Sequence, residues 1–418
     1  MNTGAVALAA DSAVTIHASS GAKVYNTVNK LFSLSVGAPV GVMVWGGAEL
    51  CGVPWETLIK EYRRHLGGKR FPALEDYGTD LTAFLTGNRF LTASLQEADV
   101  HRFALSYYVG RLVDQVMQAM HQHFEQHGSA TRQKVVQIIT SVLDDEQGLL
   151  EKAPFAPGFS NTDVAKFTKT YRDPVSSALR RAFENLPLGR TNTAKARRIF
   201  ALFCCKQRQS PQRSGLVIAG FGEEDVFPKV VSHEVDGYFL DRVKMVSGDV
   251  QSVEPDNRAV VMPFAQREMV SLFMEGVDPD YRAAIQEALS QFSGGLPEAV
   301  ADAVGATGAH RTKLVRNLRA QSKGLLADFD RRMDEYSMGA HVMPSIEAVA
   351  ALPKDELGAM AESLVNLTSF KRRVTLDAET VGGAIDVAVI SKGDGLIWLK
   401  RKHYFEADRN PQFFARYK

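Results

Sequence analysis

Gly4-Ala5-Val6-Ala7-Leu8-Ala9-Ala10-Asp11-Ser12 is a run of small and branched apolar residues that stops at a carboxylate and a hydroxyl. Such a run reads as a strand, Gly4–Ala10, ending in an acidic turn. Two further strands follow, Lys30–Val36 and Val40–Trp45, and the break Gly37-Ala38-Pro39 between them suits a hairpin loop. The last strand runs into Trp45-Gly46-Gly47-Ala48-Glu49, and from Pro54 onward the period changes to that of a helix. Trp55, Leu58, Ile59, Tyr62 and Leu66 recur at helical spacing, Pro54 sits where a first turn tolerates proline, and Gly67 closes the helix.

The rest of the chain alternates between the same two textures. Residues 54–210 are mostly helical, with a long amphipathic stretch through Val100, Phe103, Tyr107, Leu112, Val116 and Met120. Strand character returns at Gly215–Gly222 and Phe227–Phe239. Residues 264–370 are helical again, punctuated by Gly294-Gly295, Gly305 and Gly308, and the chain closes on strands Ala384–Ser391 and Leu396–Lys400. The connection Lys392-Gly393-Asp394-Gly395 is a good hairpin signal. Strands at both ends and in the middle, separated by helical blocks, predict an α+β protein whose sheets are completed by distant segments: one domain over 1–418 with helical insertions at about 70–210 and 265–370.

Composition narrows the function. The 418 residues carry 49 Lys+Arg against 48 Asp+Glu, a net charge of +1, which argues against a dedicated nucleic-acid or anionic-membrane surface. No apolar run approaches the roughly 18 residues of a membrane helix, and no basic residue precedes the first apolar stretch as in a signal peptide. Cys51, Cys204 and Cys205 cannot make a disulfide framework, so the expected setting is reducing and cytoplasmic.

Asp11 and Lys23 fall at the ends of neighbouring strands, where a carboxylate and an ammonium can pair and hold the lysine ready to act on a hydroxyl nucleophile. Gly46-Gly47, leading into a helix, is suited to present backbone N–H groups to an oxyanion. Standing alone, Asp11 would be a strand-end turn former, and the two glycines would permit close packing of strand and helix. Lys30 reads as a solvated strand residue. Asp144-Asp145-Glu146 and the charges from Asp328 to Asp334 read as solvated helix faces.

On these residues the chain resembles the proteasome β-subunit and HslV family of N-terminal-nucleophile (Ntn) hydrolases. The matching stretches are AADSAVT (9–15), KVYNTVNKLFSLS (23–35), VMVWGGAELCGVPWETLIKEYRR (42–64), GLVIAGFGEEDVFPKVVSHEVDGYF (215–239) and ETVGGAIDVAVISKGDGLIWL (379–399), in the family's order. They lie within residues 4–66, 214–240 and 379–400, under a third of the chain. The resemblance implies a four-layer αββα sandwich. It also implies a threonine-type peptidase whose N-terminal residue cleaves amide bonds with its own α-amine as base. Carried over, Asp11 and Lys23 take the supporting acid and lysine positions, and Gly46, with Gly47 beside it, the oxyanion position. The implied partners are a peptide or protein substrate, further copies of the chain as a homo-oligomer, and an ATPase or other protein. No cofactor and no metal are implied, and the chain is expected to hold no membrane segment and to bind no nucleic acid.

The sequence departs from the family at three places. A nucleophile strand should precede the Asp11 strand, which asks for a hairpin of about 6 residues per strand plus a turn. Only ten residues precede Asp11, and Asn2-Thr3-Gly4 is itself a turn sequence that puts Thr3 at the wrong end. Two explanations stand: a threonine, serine or cysteine nucleophile lies upstream of Met1, or the chain is a catalytically inactive scaffold or assembly subunit. The first is preferred, because losing the strand would leave Gly4–Ala10 unpaired on one side. Second, the step from Asp11 to Lys23 is short, which predicts a trimmed loop. Third, the family's Asp-x-x-Ser-Gly-Gly loop reads Ala378-Glu379-Thr380-Val381-Gly382-Gly383 here, so Glu379 or Thr380 would have to stand in for the acid and serine.

Other motifs are weaker. His121, His123 and His127 suggest a metal by spacing, yet they sit just before Gly128, where histidine commonly ends a helix. Gly220-Phe221-Gly222 has Asp225 where a dinucleotide fingerprint needs its third glycine, so that reading fails. Lys371-Arg372-Arg373 and Lys400-Arg401-Lys402-His403 make the end of the chain locally basic without the interleaved aromatics of a stacking surface.

Overall fold

The computed structural model describes residues 1–18, 21–25, 27–35, 37–375, 382–403 and 405–415. The chain begins with strands β1 (Val6–Ala10), β2 (Val14–Ala18), β3 (Gly21–Tyr25), β4 (Leu31–Ser33) and β5 (Val40–Gly46). Two short strands, β6 (Glu49–Leu50) and β7 (Val53–Pro54), lead into helix α1 (Trp55–Leu66). Helices α2 (Leu74–Leu85), α3 (Ala93–Phe103), α4 (Val109–His127), α5 (Arg132–Lys152), α6 (Asn161–Thr170), α7 (Arg172–Ala182) and α8 (Gly189–Cys205) come next. Strands β8 (Ser214–Gly220), β9 (Lys229–Phe239) and β10 (Arg242–Ser252) are followed by helices α9 (Glu268–Glu275), α10 (Pro279–Ala303), α11 (Gly308–Ser337), α12 (Met343–Ala351) and α13 (Lys354–Val374). Strands β11 (Asp386–Ser391) and β12 (Gly395–Lys400) follow, and a short helix, α14 (Pro411–Ala415), ends the described chain. It is a mixed helix-and-sheet protein with antiparallel sheets. Among the described residues no helix is long and apolar enough to cross a membrane.

The chain divides into two compact units. Met1–Val28, Val253–Ser391 and Ile397–Lys418 make the first, and Asn29–Ser252 with Lys392–Leu396 the second. In the first unit β1 pairs antiparallel with β11, from Val6↔Ile390 to Ala10↔Asp386, and the order β1-β11-β12 puts β1 on the sheet's edge. Helix α13 packs on both β1 and β11, and Ala5, Ala259, Val349, Leu357 and Val389 form the core there. Asn2 fastens the start of the chain. Its Nδ2 donates to Val349 O and Leu352 O at 3.1 and 3.0 Å, and its Oδ1 accepts from the N–H groups of Gly4 and Ala5. The stretch expected to be a trimmed loop is instead the β2–β3 hairpin, in register from Val14↔Tyr25 to Ala18↔Gly21.

In the second unit a five-stranded sheet runs β10-β9-β8-β5-β4. Central β8 is buried at every position, as a strand covered on both faces must be. Helix α1 buries Trp55, Leu58, Ile59, Tyr62 and Leu66, the residues whose spacing marked it, against Val42, Val44, Leu216 and Ile218. A second core joins α3 through α8 with Phe239 and Leu240, around an aromatic cluster of Tyr108, Phe167, Phe200 and Phe203.

Four expectations need correction. Residues 242–252, unmarked in the sequence, form β10, because the β9–β10 turn is Leu240-Asp241, two non-glycine residues with φ of 54° and 62°. That geometry is held from outside the hairpin: Tyr171 Oη accepts from Leu240 N, Gln96 Oε1 accepts from Asp241 N, and Gln96 Nε2 donates to Asp241 Oδ1. Of the expected strand Lys30–Val36, whose last residue lies outside the described residues, only β4 forms, and the Ser35 hydroxyl takes the N–H groups of Gly37 and Ala38 into a turn. Gly294-Gly295 does not interrupt the helical block but lies inside α10. Finally, Glu146 is not on a solvated face. It is buried, where it accepts from Tyr108 Oη at 3.2 Å and pairs with Arg111 at 2.5 Å.

Candidate functional site

Of the four candidate residues, Asp11 and Lys23 belong to the first unit, Gly46 and Gly47 to the second. β1 ends at Ala10, and Asp11 then turns the chain. Its Oδ2 accepts from Ala13 N at 3.1 Å, a local Asx-type turn, and from Gly382 N at 3.0 Å, a contact across 371 residues. Ser12, not singled out in the sequence, completes a clasp. Its N–H donates to Gly382 O at 3.1 Å and its hydroxyl donates to Ala384 O, while its own carbonyl accepts from Val28 N. The strand end AADS and the Gly382-Gly383 loop ahead of β11, both segments that carried the resemblance, thus meet through three hydrogen bonds. Alternation along β1 could not reveal this contact, because sequence spacing gives no account of pairing between the chain's two ends.

Lys23 stands opposite Ile16 in the β2–β3 pair; its side chain lies outside the described residues, as do Ala378, Glu379, Thr380 and Val381. Met1 is buried, and its α-amine donates to Val260 O at 2.7 Å. Burial pushes that amine down to about 5.

The Gly46-Gly47 step is built by the β5–β8 ladder. Gly46 stands opposite Ser214, and Gly47 N donates to Arg213 O at 3.1 Å. Gly47 N–H is therefore engaged and is not an oxyanion donor, a correction to its expected part. Gly47 instead permits close approach: a Cβ there would lie 2.7 Å from Ser214 Oγ, which donates to Gly47 O. The same ladder turns the N–H of Gly46, an exposed residue, the other way. Val44 N donates to Lys30 O on the β4 side, so alternation directs Gly46 N–H to that side as well, away from β8. Gly46 has φ of 74°, and a Cβ would lie 2.3 Å from Arg213 O, so only glycine fits.

Other groups with reactive chemistry are occupied structurally. Cys51, Cys204 and Cys205 are buried, and burial pushes each thiol up, Cys205 to about 12, so none is a ready nucleophile. Asp225, in the failed dinucleotide motif, accepts from Gly222 N and Leu74 N and pairs with Lys229, tying the β8–β9 connection to the start of α2. The His123 and His127 rings stack at 4.2 Å, with His127 Nδ1 against His123 O. Lys371, Arg372, Lys400 and Lys402 each pair with a carboxylate and Arg401 lies over the Trp398 ring, so most of these basic groups have structural partners.

No protein-family model, curated protein or solved structure matches this chain.

Proposed function

We propose that this protein is an amide-bond hydrolase on the N-terminal-nucleophile plan of proteasome β-subunits and HslV, built as a four-layer αββα sandwich with helical insertions. One observation carries the reading: the clasp of Asp11 and Ser12 onto the Gly382-Gly383 loop, which joins two stretches that resembled the family independently. Among the described residues β1 is an edge strand, although Asn2 just ahead of it already bridges Ala259, and an edge position is where a preceding strand bearing the nucleophile would pair. On this reading the nucleophile is a threonine, serine or cysteine upstream of Met1. Its α-amine removes the side-chain proton, and the oxygen or sulfur attacks the amide carbon. The tetrahedral oxyanion accepts a hydrogen bond from a backbone N–H. Collapse expels the amine, which takes the proton, and water then releases the acyl group. The Lys23 ammonium holds the nucleophile's proton equilibrium toward the neutral amine and the ionised hydroxyl, and the Asp11 clasp orients the loop beside it.

The second reading is a catalytically inactive scaffold, and the structure offers one feature in its favour. The Asp11 carboxylate accepts two backbone N–H groups, which is what a purely structural turn former does. Replacing Lys23 separates the readings. In protein purified from its native start and assayed on a peptide-amide library, Lys23→Met should lower kcat by about 10²-fold or more with an unchanged melting temperature. No hydrolysis by the parent, or none lost in the variant, removes the enzyme reading.

A further inference from the structure

Helices α10 and α11 form an antiparallel hairpin. Arg282–Asp334, Gln286–Asp330 and Arg319–Glu298 contacts fix its register. At about 1.5 Å per residue, the 30 residues of α11 extend roughly 45 Å, and none of them is buried. On α10 only Pro297 and Ala301 are buried. Both helices nevertheless carry an apolar stripe. Tyr281, Phe292 and Leu296 of α10 fall within one narrow arc of the helix, and so do Leu325, Phe329 and Tyr336 of α11. Tyr281, Phe292, Leu325 and Tyr336 are 63%, 68%, 73% and 64% exposed. In the antiparallel register both arcs turn to the same side of the ion-paired seam. With roughly 200 Å² for each full side chain, the six expose about 700 Å². The largest apolar patch of an ordinary monomer is about 300–600 Å², and a stable interface takes about 800 Å² from each partner.

Charge selects the occupant. α10 holds four acids (Asp280, Glu287, Glu298, Asp302) against Arg282 alone, a balance of −3. α11 holds seven bases (Arg311, Lys313, Arg316, Arg319, Lys323, Arg331, Arg332) against four acids (Asp328, Asp330, Asp334, Glu335), a balance of +3. Within one copy Glu298 and Asp302 are already met by Arg319 and Arg311; Asp280 and Glu287 of α10 and Lys313, Arg316 and Lys323 of α11 are not ion-paired there among the described residues, so the hairpin stays acidic along one helix, basic along its neighbour and complementary to itself. A twofold axis parallel to the helices lays α10 of one copy over α11 of the other and closes a four-helix bundle. We infer that a second copy of this chain occupies the stripe, so that the α10–α11 hairpin is a dimerisation arm.

Sedimentation of the full chain tests this. The parent should sediment as a dimer, or as an even-numbered assembly, in the micromolar range. The double variant Leu325→Glu with Tyr336→Glu should weaken association at least 100-fold while keeping the parent's helix content by circular dichroism. Phe292→Lys, on the other helix, reads the same equilibrium should the double variant precipitate. A parent that stays monomeric across that range overturns the inference, whatever else covers the stripe. So does a soluble variant that associates as tightly as the parent. Neither outcome bears on the hydrolase reading.

Discussion

His233 shows how much one buried ring can say about pH. It sits on β9 with Nδ1 3.0 Å from Ser247 Oγ and Nε2 pressed against Gly78 of α2, where a Cβ would lie 2.4 Å away. Nε2 is among the buried polar atoms that lack a hydrogen-bond partner. Burial pushes the ring down from 6.5 to about 4. The unfolded chain therefore binds a proton near pH 6.5 that the folded chain refuses until about pH 4. Stability should fall as pH drops through that window, by of order 3 kcal/mol in total, and level off below it. Urea unfolding at pH 7 and pH 5 should show the His233→Asn variant losing clearly less stability over that interval than the parent. An equal loss in both would assign the acid sensitivity elsewhere. Asp11 teaches a related lesson about residues. Its place at a strand end was legible in the sequence, whereas its hydrogen bond to Gly382 was not, because the two are 371 positions apart.

Among the elements, legibility followed how locally each one is specified. Helix α1 could be read outright: its five buried residues are the ones that repeat at helical spacing. β10 could not, since its turn has neither Asn-Gly nor Asp-Gly and owes its left-handed backbone to Gln96 and Tyr171. Glu146 was misread for a similar reason. Its neighbours Asp144 and Asp145 are polar, and only the fold reveals that Tyr108 and Arg111 reach it. The Gly46-Gly47 step was seen as a site, but its division of labour needed the ladder: one N–H bonded to Arg213, the other turned away. This division predicts unequal costs for alanine. Gly46→Ala meets both φ of 74° and a contact of 2.3 Å with Arg213 O, and should cost about 3 kcal/mol or more. Gly52 has φ of 76° in open space, so Gly52→Ala should cost only about 1 kcal/mol. Chemical denaturation of the two variants measures the difference; equal losses would mean that Arg213 yields freely and that the step is not rigid.

For the whole molecule, the sequence conveyed the mixture of helix and antiparallel sheet and the segments from both chain ends that the first unit brings together. It did not convey the division into two units, which depends on packing among helices that share no periodic signature beyond their own. The apolar stripe of α10 and α11 went unread because a hairpin's exposed side shows only once its partner helix is in place. The central claim, the proposed Ntn hydrolase whose nucleophile strand pairs beside the edge strand β1, is tested most directly by the N-terminal peptide mass of protein isolated from its native source. The account predicts a mature chain that begins upstream of Met1 with threonine, serine or cysteine. A mature N-terminus at Met1 or Asn2 would contradict it and leave the scaffold reading.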